Sequence, residues 1–249
     1  MSQTRVSRNI LLAGALLLIV TASLSAYVLL SPRRTWDDPP DYVVDNRGLA
    51  GVTAADGGVN TVIAAITSNA AWNGAGTGTR LTAHAGSVAA FTLGDGIPML
   101  NFTDPQHACN GTCLAATFTG FYSQRADGTT RIDDADIVTN ASQPWVSTNE
   151  PDGCSGEYYI EGVMVHETGH GIGLGHSNVA GSTMYPSVSA CNNGPATTEA
   201  DDEAGVQDLY GGGGGGGGCT LLPKGAQCTS SGQCCSNKCT GKPGQRTCK

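Results

Sequence analysis

The pattern of apolar and polar positions predicts a body in which short strands and a few helices are mixed, an α+β fold. In the segment 60–72, Val62, Ile63, Ile66 and Trp72 recur at near-helical spacing, which predicts a helix over Asn60–Trp72 that packs on a sheet. Strands are predicted where β-branched and aromatic runs end at Gly, Asn or Asp-Pro: Tyr42–Asn46, Thr79–His84, Ile97–Thr103, Cys113–Tyr122 and Thr130–Val138.

Two further helices are predicted in the second half of the body, over Glu157–Gly171 and Thr198–Tyr210. Thr197 or Thr198 is a suitable N-cap for the second of these helices. The acidic residues of its first turn suit the positive end of the helix dipole.

The first of these helices carries the chemistry, because residues 166–176 read HETGHGIGLGH. Helical positions four apart share a face, so His166 and His170 can chelate one ion. Glu167 can reach a water on that ion without being a ligand. Gly173 permits the backbone reversal that ends the helix and returns His176 as a third nitrogen ligand. Three neutral imidazoles leave one position of a tetrahedral zinc ion open, which indicates a catalytic and not a structural site.

Met184 lies eight residues beyond His176, between Ser-Thr and Tyr-Pro. The segment 182–186 resembles the Met-turn of the metzincin metalloproteases, in which a methionine forms an apolar floor beneath the zinc. Among metzincins, the chain is most similar to the matrixins. The similar features are Ser177 after the third histidine, the closing segment 198–211, and the segment 131–145 before the zinc helix.

The resemblance implies a metzincin-like catalytic domain with a twisted, mostly parallel five-stranded sheet and one antiparallel edge strand. It implies a single catalytic zinc ion and hydrolysis of peptide bonds in protein or peptide substrates, with Glu167 as the general base. An extended peptide is expected to pair with the edge strand through Leu114, Ala115 and Ala116. Calcium binding through Asp133, Asp134, Asp136 or Asp152 and a solvated acidic loop are both left open.

The flanks of the body differ from it in composition. Residues 1–30 carry Arg5 and Arg8 before the apolar run 10–30, which predicts either a cleaved signal peptide or a membrane anchor. The proposed divisions are therefore the leader 1–30, the catalytic domain 31–210, the polyglycine linker 211–218 and a cystine-rich tail 219–249. The catalytic domain is expected outside the cytoplasm, either secreted or anchored.

Six of the ten cysteines lie in the tail, and their spacing resembles that of a knottin. The resemblance implies the pairs Cys219–Cys235, Cys228–Cys239 and Cys234–Cys248. For the four cysteines of the body we predict Cys109–Cys113 and Cys154–Cys191.

Charge is distributed unevenly along the chain. All 21 acidic residues precede Gly211, while the tail holds five basic residues, Lys224, Lys238, Lys242, Arg246 and Lys249. The acidic body argues against nucleic acid as a partner. The basic tail could favour an anionic surface or matrix, or its charges could simply be solvated. A monomer is expected.

The sequence therefore predicts an extracellular zinc endopeptidase. The alternative is an inactive metzincin scaffold or carrier whose knottin-like tail is the binding or inhibitory agent. The intact Glu167 argues against this alternative.

Overall fold

The computed structural model describes residues 26–75, 80–88, 90, 92–125, 128–211, 227–229, 239–242 and 245–248. Most of the predicted leader, most of the glycine linker and most of the tail lie outside these residues. Among the helices described, none is long and apolar enough to cross a membrane.

The centre of the body is a mostly parallel sheet. Its five main strands are β3 (Asp41–Asp45), β4 (Thr82–Gly86), β5 (Met99–Asn101), β6 (Ala115–Gln124) and β7 (Thr130–Thr139). They lie in the order β4-β3-β5-β7-β6, and every pairing is parallel except that of β6 with β7. The prediction of five strands with one antiparallel edge strand is confirmed. The two-residue strand β2 (Arg34–Thr35), which was not predicted, adds a sixth strand by pairing with the start of β7.

Two helices pack on this sheet, α1 (Val59–Ile66) and α2 (Ile160–Gly171). The apolar stripe predicted for the first helix is present, since Val62, Ile66 and Trp72 are buried in one core with the sheet. The helix is shorter than predicted. Its continuation is blocked because the Asn73 side-chain amide donates to the Thr67 carbonyl at 2.9 Å, and a 3-10 turn follows at Trp72–Gly74.

The zinc helix α2 begins at Ile160 and not at the predicted Glu157. The preceding Tyr158–Tyr159 forms strand β9, which pairs in parallel with β8 (Trp145–Val146). A pair of aromatic residues with buried partners therefore favours a strand over the first turn of the helix.

The closing helix α3 spans Ala200–Tyr210, and its predicted N-cap is wrong. Glu199 is the N-cap, and it forms a capping box with Asp202. Thr197 instead donates its hydroxyl to the Gly194 carbonyl, and the Thr198 amide donates to the Ala70 carbonyl.

An N-terminal arm, which we define as residues 26–35, lies against the body. Its strand β1 (Val28–Leu29) pairs antiparallel with β10 (Leu174–Gly175), directly before His176. Farther along the arm, the Arg33 guanidinium pairs with the Asp208 carboxylate of α3 at 3.1 Å. Residues 26–30, which the proposed division places in the leader, are therefore in contact with the body.

Both predicted disulfides of the body are present. Cys109–Cys113 closes a short loop before β6, and Cys154–Cys191 joins the segment before α2 to the loop before α3. In the tail, the described parts form a hairpin of β11 (Cys239–Thr240) and β12 (Thr247–Cys248), and Cys228 is in a disulfide. The three predicted tail pairings lie largely outside the described residues.

The solvated acidic loop that we considered as an alternative to a calcium site is wrong for two of its residues. Asp134 and Asp136 are fully buried in β7, and each accepts a backbone amide from the segment 92–94. Asp152 is exposed and lies elsewhere in the chain, beyond β8.

Candidate metal centre and substrate cleft

Three histidines are brought together at the end of α2. His166 and His170 lie one helical turn apart, and their ring centroids are 4.7 Å apart. The His176 ring lies 5.3 Å from that of His166 and 4.7 Å from that of His170. One nitrogen of each ring lies within 4.8 Å of the others.

The return of His176 depends on Gly173. This residue has a φ of 109°, and a β-carbon on it would lie 2.4 Å from the Arg34 carbonyl oxygen. A side chain is therefore opposed both by the backbone conformation and by the arm that packs against the turn. Strand β10 then carries the chain back toward the helix, and His176 follows it directly.

Hydrogen bonds orient two of the three rings. Nδ1 of His166 donates to the Thr183 carbonyl at 2.6 Å, and Nδ1 of His170 donates to the Leu174 carbonyl at 2.8 Å. With Nδ1 protonated, the lone pair on Nε2 of each ring is available to bind a metal ion, as in metal-binding histidines generally. Burial lowers the pKa of both His166 and His170 to about 4, so each ring is neutral near pH 7.

The spacing of the nitrogens suits zinc. Nε2 of His170 and Nε2 of His176 are 3.2 Å apart. A tetrahedral zinc ion with Zn–N bonds of about 2.0–2.1 Å separates its nitrogen ligands by about 3.3–3.4 Å. The three histidines can therefore hold one zinc ion and leave a coordination position open.

Glu167 lies beside this centre, with its side chain between α2 and β6. The Thr117 hydroxyl lies 2.6 Å from Glu167 Oε2 and donates to it. Glu167 is 6% exposed, and burial raises the pKa of its carboxyl group. A buried carboxylate of raised pKa, held at a fixed position beside the metal ligands, is suited to accept and return a proton.

Met184 lies beneath the helix, where its sulfur packs against Gly169. A β-carbon on Gly169 would lie 2.4 Å from Met184 Sδ and 2.5 Å from the Trp72 ring, so only glycine allows this approach. Met184 is buried, and its carbonyl accepts the Ser177 amide at 2.8 Å. The Met-turn, residues 182–186, therefore lies against both the helix and the segment after His176.

A cleft of about 460 Å³ runs along this centre on the side of the Met-turn. Leu114 and Ala115 of the predicted docking strand line it together with His166 and Glu167. Ala116 follows in β6, opposite Val138 of β7. In the described part of the chain, no strand pairs with the other edge of β6. The cleft is also lined by residues of the Met-turn and of the segment after it, among them Tyr185, Pro186, Val188 and Pro195.

Two residues of this site were missed in the sequence. Thr117 orients Glu167, and no local signal distinguishes it from the other threonines of a strand. Asp202 is fully buried, and it accepts the Thr183 amide at 2.7 Å and the Met184 amide at 3.0 Å. An acidic residue at the third position of a helix is a signal for a capping box, but nothing local shows that it also holds the Met-turn.

The fold and the site together define a class of proteins: those with a candidate three-histidine metal centre on a helix that packs on a mostly parallel sheet. Comparison with known proteins narrows this class. Residues 101–211 match the matrixin family of peptidases, and this segment includes β6, β7, the three histidines and α3.

The chain is also similar to individual metalloendopeptidases. It is 41% identical to rat matrilysin over 64 residues, which is 22% of this chain and 24% of matrilysin. It is 46% identical to the Arabidopsis thaliana metalloendoproteinase 4-MMP over 52 residues, or 21% of this chain and 15% of that protein. It is 34% identical to mouse matrix metalloproteinase-25 over 109 residues, or 43% of this chain and 16% of that protein. The aligned segments span a quarter or less of the length of these relatives.

Proposed function

We propose that this protein is a zinc-dependent endopeptidase that cleaves extended peptide segments of protein substrates. One observation carries the proposal: three histidines, of which burial keeps His166 and His170 neutral, lie together with a buried glutamate beside a cleft. The strand β6 borders this cleft, and its outer edge pairs with no strand in the described part of the chain. The similarity of residues 101–211 to matrixins supports the same activity.

The substrate would bind by pairing its backbone with β6. Strand addition at a free sheet edge provides affinity through main-chain hydrogen bonds. Leu114, Ala115 and Glu167 line the same cleft, so a peptide paired with the strand would present a carbonyl carbon at the metal centre. The half of the cleft beneath Tyr185 and Val188 would accept a side chain next to the cleaved bond.

His166, His170 and His176 would hold the zinc ion. A bound zinc ion supplies a water of lowered pKa and stabilises negative charge on the attacked carbonyl oxygen. Glu167 would accept the proton of the attacking water and deliver it to the leaving amine. Thr117 would keep the Glu167 carboxylate turned toward this water by donating to Oε2.

The substitution Glu167→Gln tests this role. The amide preserves size but cannot accept the proton, and positioned general bases contribute roughly 10²–10⁴-fold to rate. We expect kcat/KM on a peptide library to fall by about that factor while zinc content stays at one ion per chain. Glu157→Gln, at a carboxylate outside this cleft, is the matched control and should cleave like wild type. Equal cleavage by the Glu167 variant at equal zinc content would contradict the assignment.

An extracellular setting is proposed from the disulfides. Cys109–Cys113 and Cys154–Cys191 are formed, and disulfides persist in oxidising compartments. The apolar run of the leader, which lies mostly outside the described residues, would direct the chain there as a signal peptide or an anchor.

A calcium ion is proposed at Asp134 and Asp136. Oδ1 of each carboxylate is buried without a hydrogen-bond partner, and carboxylate oxygens are the ligands that calcium prefers. The measurement is thermal unfolding with and without calcium. We expect calcium to raise Tm in the wild type and not in Asp136→Asn; an equal rise in both would place the ion elsewhere.

A further inference from the structure

A second hollow lies beside the metal centre. This hollow has a volume of about 370 Å³ and is lined by Leu30, Arg34, Leu93, Thr117, Thr119 and His170, among others. Leu30 and Arg34 belong to the N-terminal arm. The arm therefore forms part of the wall of this second hollow.

Two contacts hold Arg34 at a defined position in this wall. The backbone of Arg34 pairs with Thr130 in the sheet, and the Nη1 of its guanidinium donates to the Thr119 hydroxyl at 2.8 Å. Thr119 lies two residues beyond Thr117 on β6, so the two hydroxyls share one face of the strand. Arg34 is therefore held at Thr119, two residues along β6 from Thr117, whose hydroxyl contacts the Glu167 carboxylate.

Arg34 is a cationic residue in a body that is mostly acidic. The chain before Gly211 carries 21 acidic and 8 basic residues, yet Glu167 is the one carboxylate among the described residues that line the two hollows. Leu30 and Leu93 also line the second hollow, and Leu93 is 47% exposed. The hollow thus combines apolar surface with a cationic fork suited to a carboxylate.

We propose that Arg34 is a specificity-determining residue that selects a glutamate side chain in the substrate. The inference rests on the proposed peptidase activity. A peptide paired with β6 places alternate side chains on one face, so the residue beside Thr119 lies two positions from the residue beside Thr117. The methylenes of that glutamate would contact Leu30 and Leu93, and its carboxylate would bind the Arg34 guanidinium. If the peptide runs antiparallel to β6, this residue lies on the N-terminal side of the cleaved bond.

The experiment compares peptide pairs that differ only by Glu or Gln at each position on both sides of the cleaved bond. For wild-type protein loaded with zinc, we expect kcat/KM to favour the Glu peptide by about fivefold at one position, since partly exposed charged hydrogen bonds contribute modestly. Arg34→Gln should reduce this ratio to about one. Arg34→Lys should retain part of the preference, and Arg34→Glu should favour a Lys peptide at the same position.

Arg131→Gln is the control, because this arginine is about half exposed and lies outside both hollows. It should keep the wild-type ratio. The Glu-to-Gln ratio is measured within each variant, so partial loss of folded protein does not change it. If wild type cleaves peptides without a Glu preference, or if Arg34→Gln keeps that preference, the inference is wrong while the proposed function stands. If wild type loaded with zinc cleaves no peptide, both are wrong.

Discussion

At the scale of single residues, Asp202 connects the closing helix to the metal centre. Its carboxylate accepts the Thr183 amide, and the carbonyl of Thr183 in turn accepts Nδ1–H of His166. We expect Asp202→Asn to lower the free energy of unfolding by about 1–3 kcal/mol, because a buried amide in place of this acceptor is left without a matching partner. Zinc affinity should fall by about 10–100-fold, the usual effect of changing a residue that orients a ligand. Thermal unfolding and a zinc titration measure these effects. Glu203→Gln, at the next residue of the helix, is the control and should change neither the free energy of unfolding nor the zinc affinity. An unchanged zinc affinity in the Asp202 variant would show that Asp202 does not influence the metal site.

At the scale of elements, strand β7 contains a buried carboxyl group whose protonation makes the free energy of unfolding depend on pH. Burial, followed by the nearby Asp134, raises the pKa of Asp136 to about 7. A folded-state pKa above the unfolded value means that the contribution to stability is complete below about pH 4 and is lost as pH rises through 7. With a chelator present, the Asp136 contribution to the free energy of unfolding should therefore fall by roughly 2 kcal/mol between pH 5 and pH 8, after allowance for screening. The lowered pKa of His166 and His170 acts in the opposite direction, so this contribution is measured as the difference between wild type and Asp136→Asn, which lacks the titrating carboxyl group. Denaturant unfolding at each pH measures it, and an equal slope in both proteins would show that other groups are responsible.

At the scale of the whole molecule, the body and the tail are proposed to function separately. A run of eight glycines, residues 211–218, joins them, and such a linker transmits no defined orientation. A chain that ends at Gly211 should cleave short peptides with a kcat/KM within about twofold of the full chain, since flexible glycine linkers couple domains weakly. A chain that also lacks α3 should lose zinc binding, because Val206 and Leu209 are buried in the core and Asp202 holds the Met-turn. Peptide cleavage and zinc content of both shortened chains measure this. Loss of cleavage in the folded, zinc-loaded chain that ends at Gly211 would show that the tail is part of the catalytic unit.

The sequence determined the features that depend on short spacings. One metal centre was predicted from the helical offset of His166 and His170, the glycine at 173 and the return of His176. The local backbone conformation fixes the relative positions of residues this close in sequence, and the rest of the fold changes them little. Runs of β-branched and aromatic residues that end at Gly, Asn or Asp-Pro similarly predicted the five main strands. The spacing of the cysteines was compatible with the two disulfides of the body that the structure contains.

Only the tertiary structure decided the contacts between distant segments. Glu199 replaced a threonine as the cap of α3 because Thr197 and Thr198 bond elsewhere, and Tyr158–Tyr159 became a strand because β8 lies beside it. Arg34 lines the second hollow because the arm pairs with β7, about a hundred residues away in the chain. The physical reason is the same in each case: local propensities differ by a few tenths of a kcal/mol per residue, so burial and pairing with remote partners outweigh them.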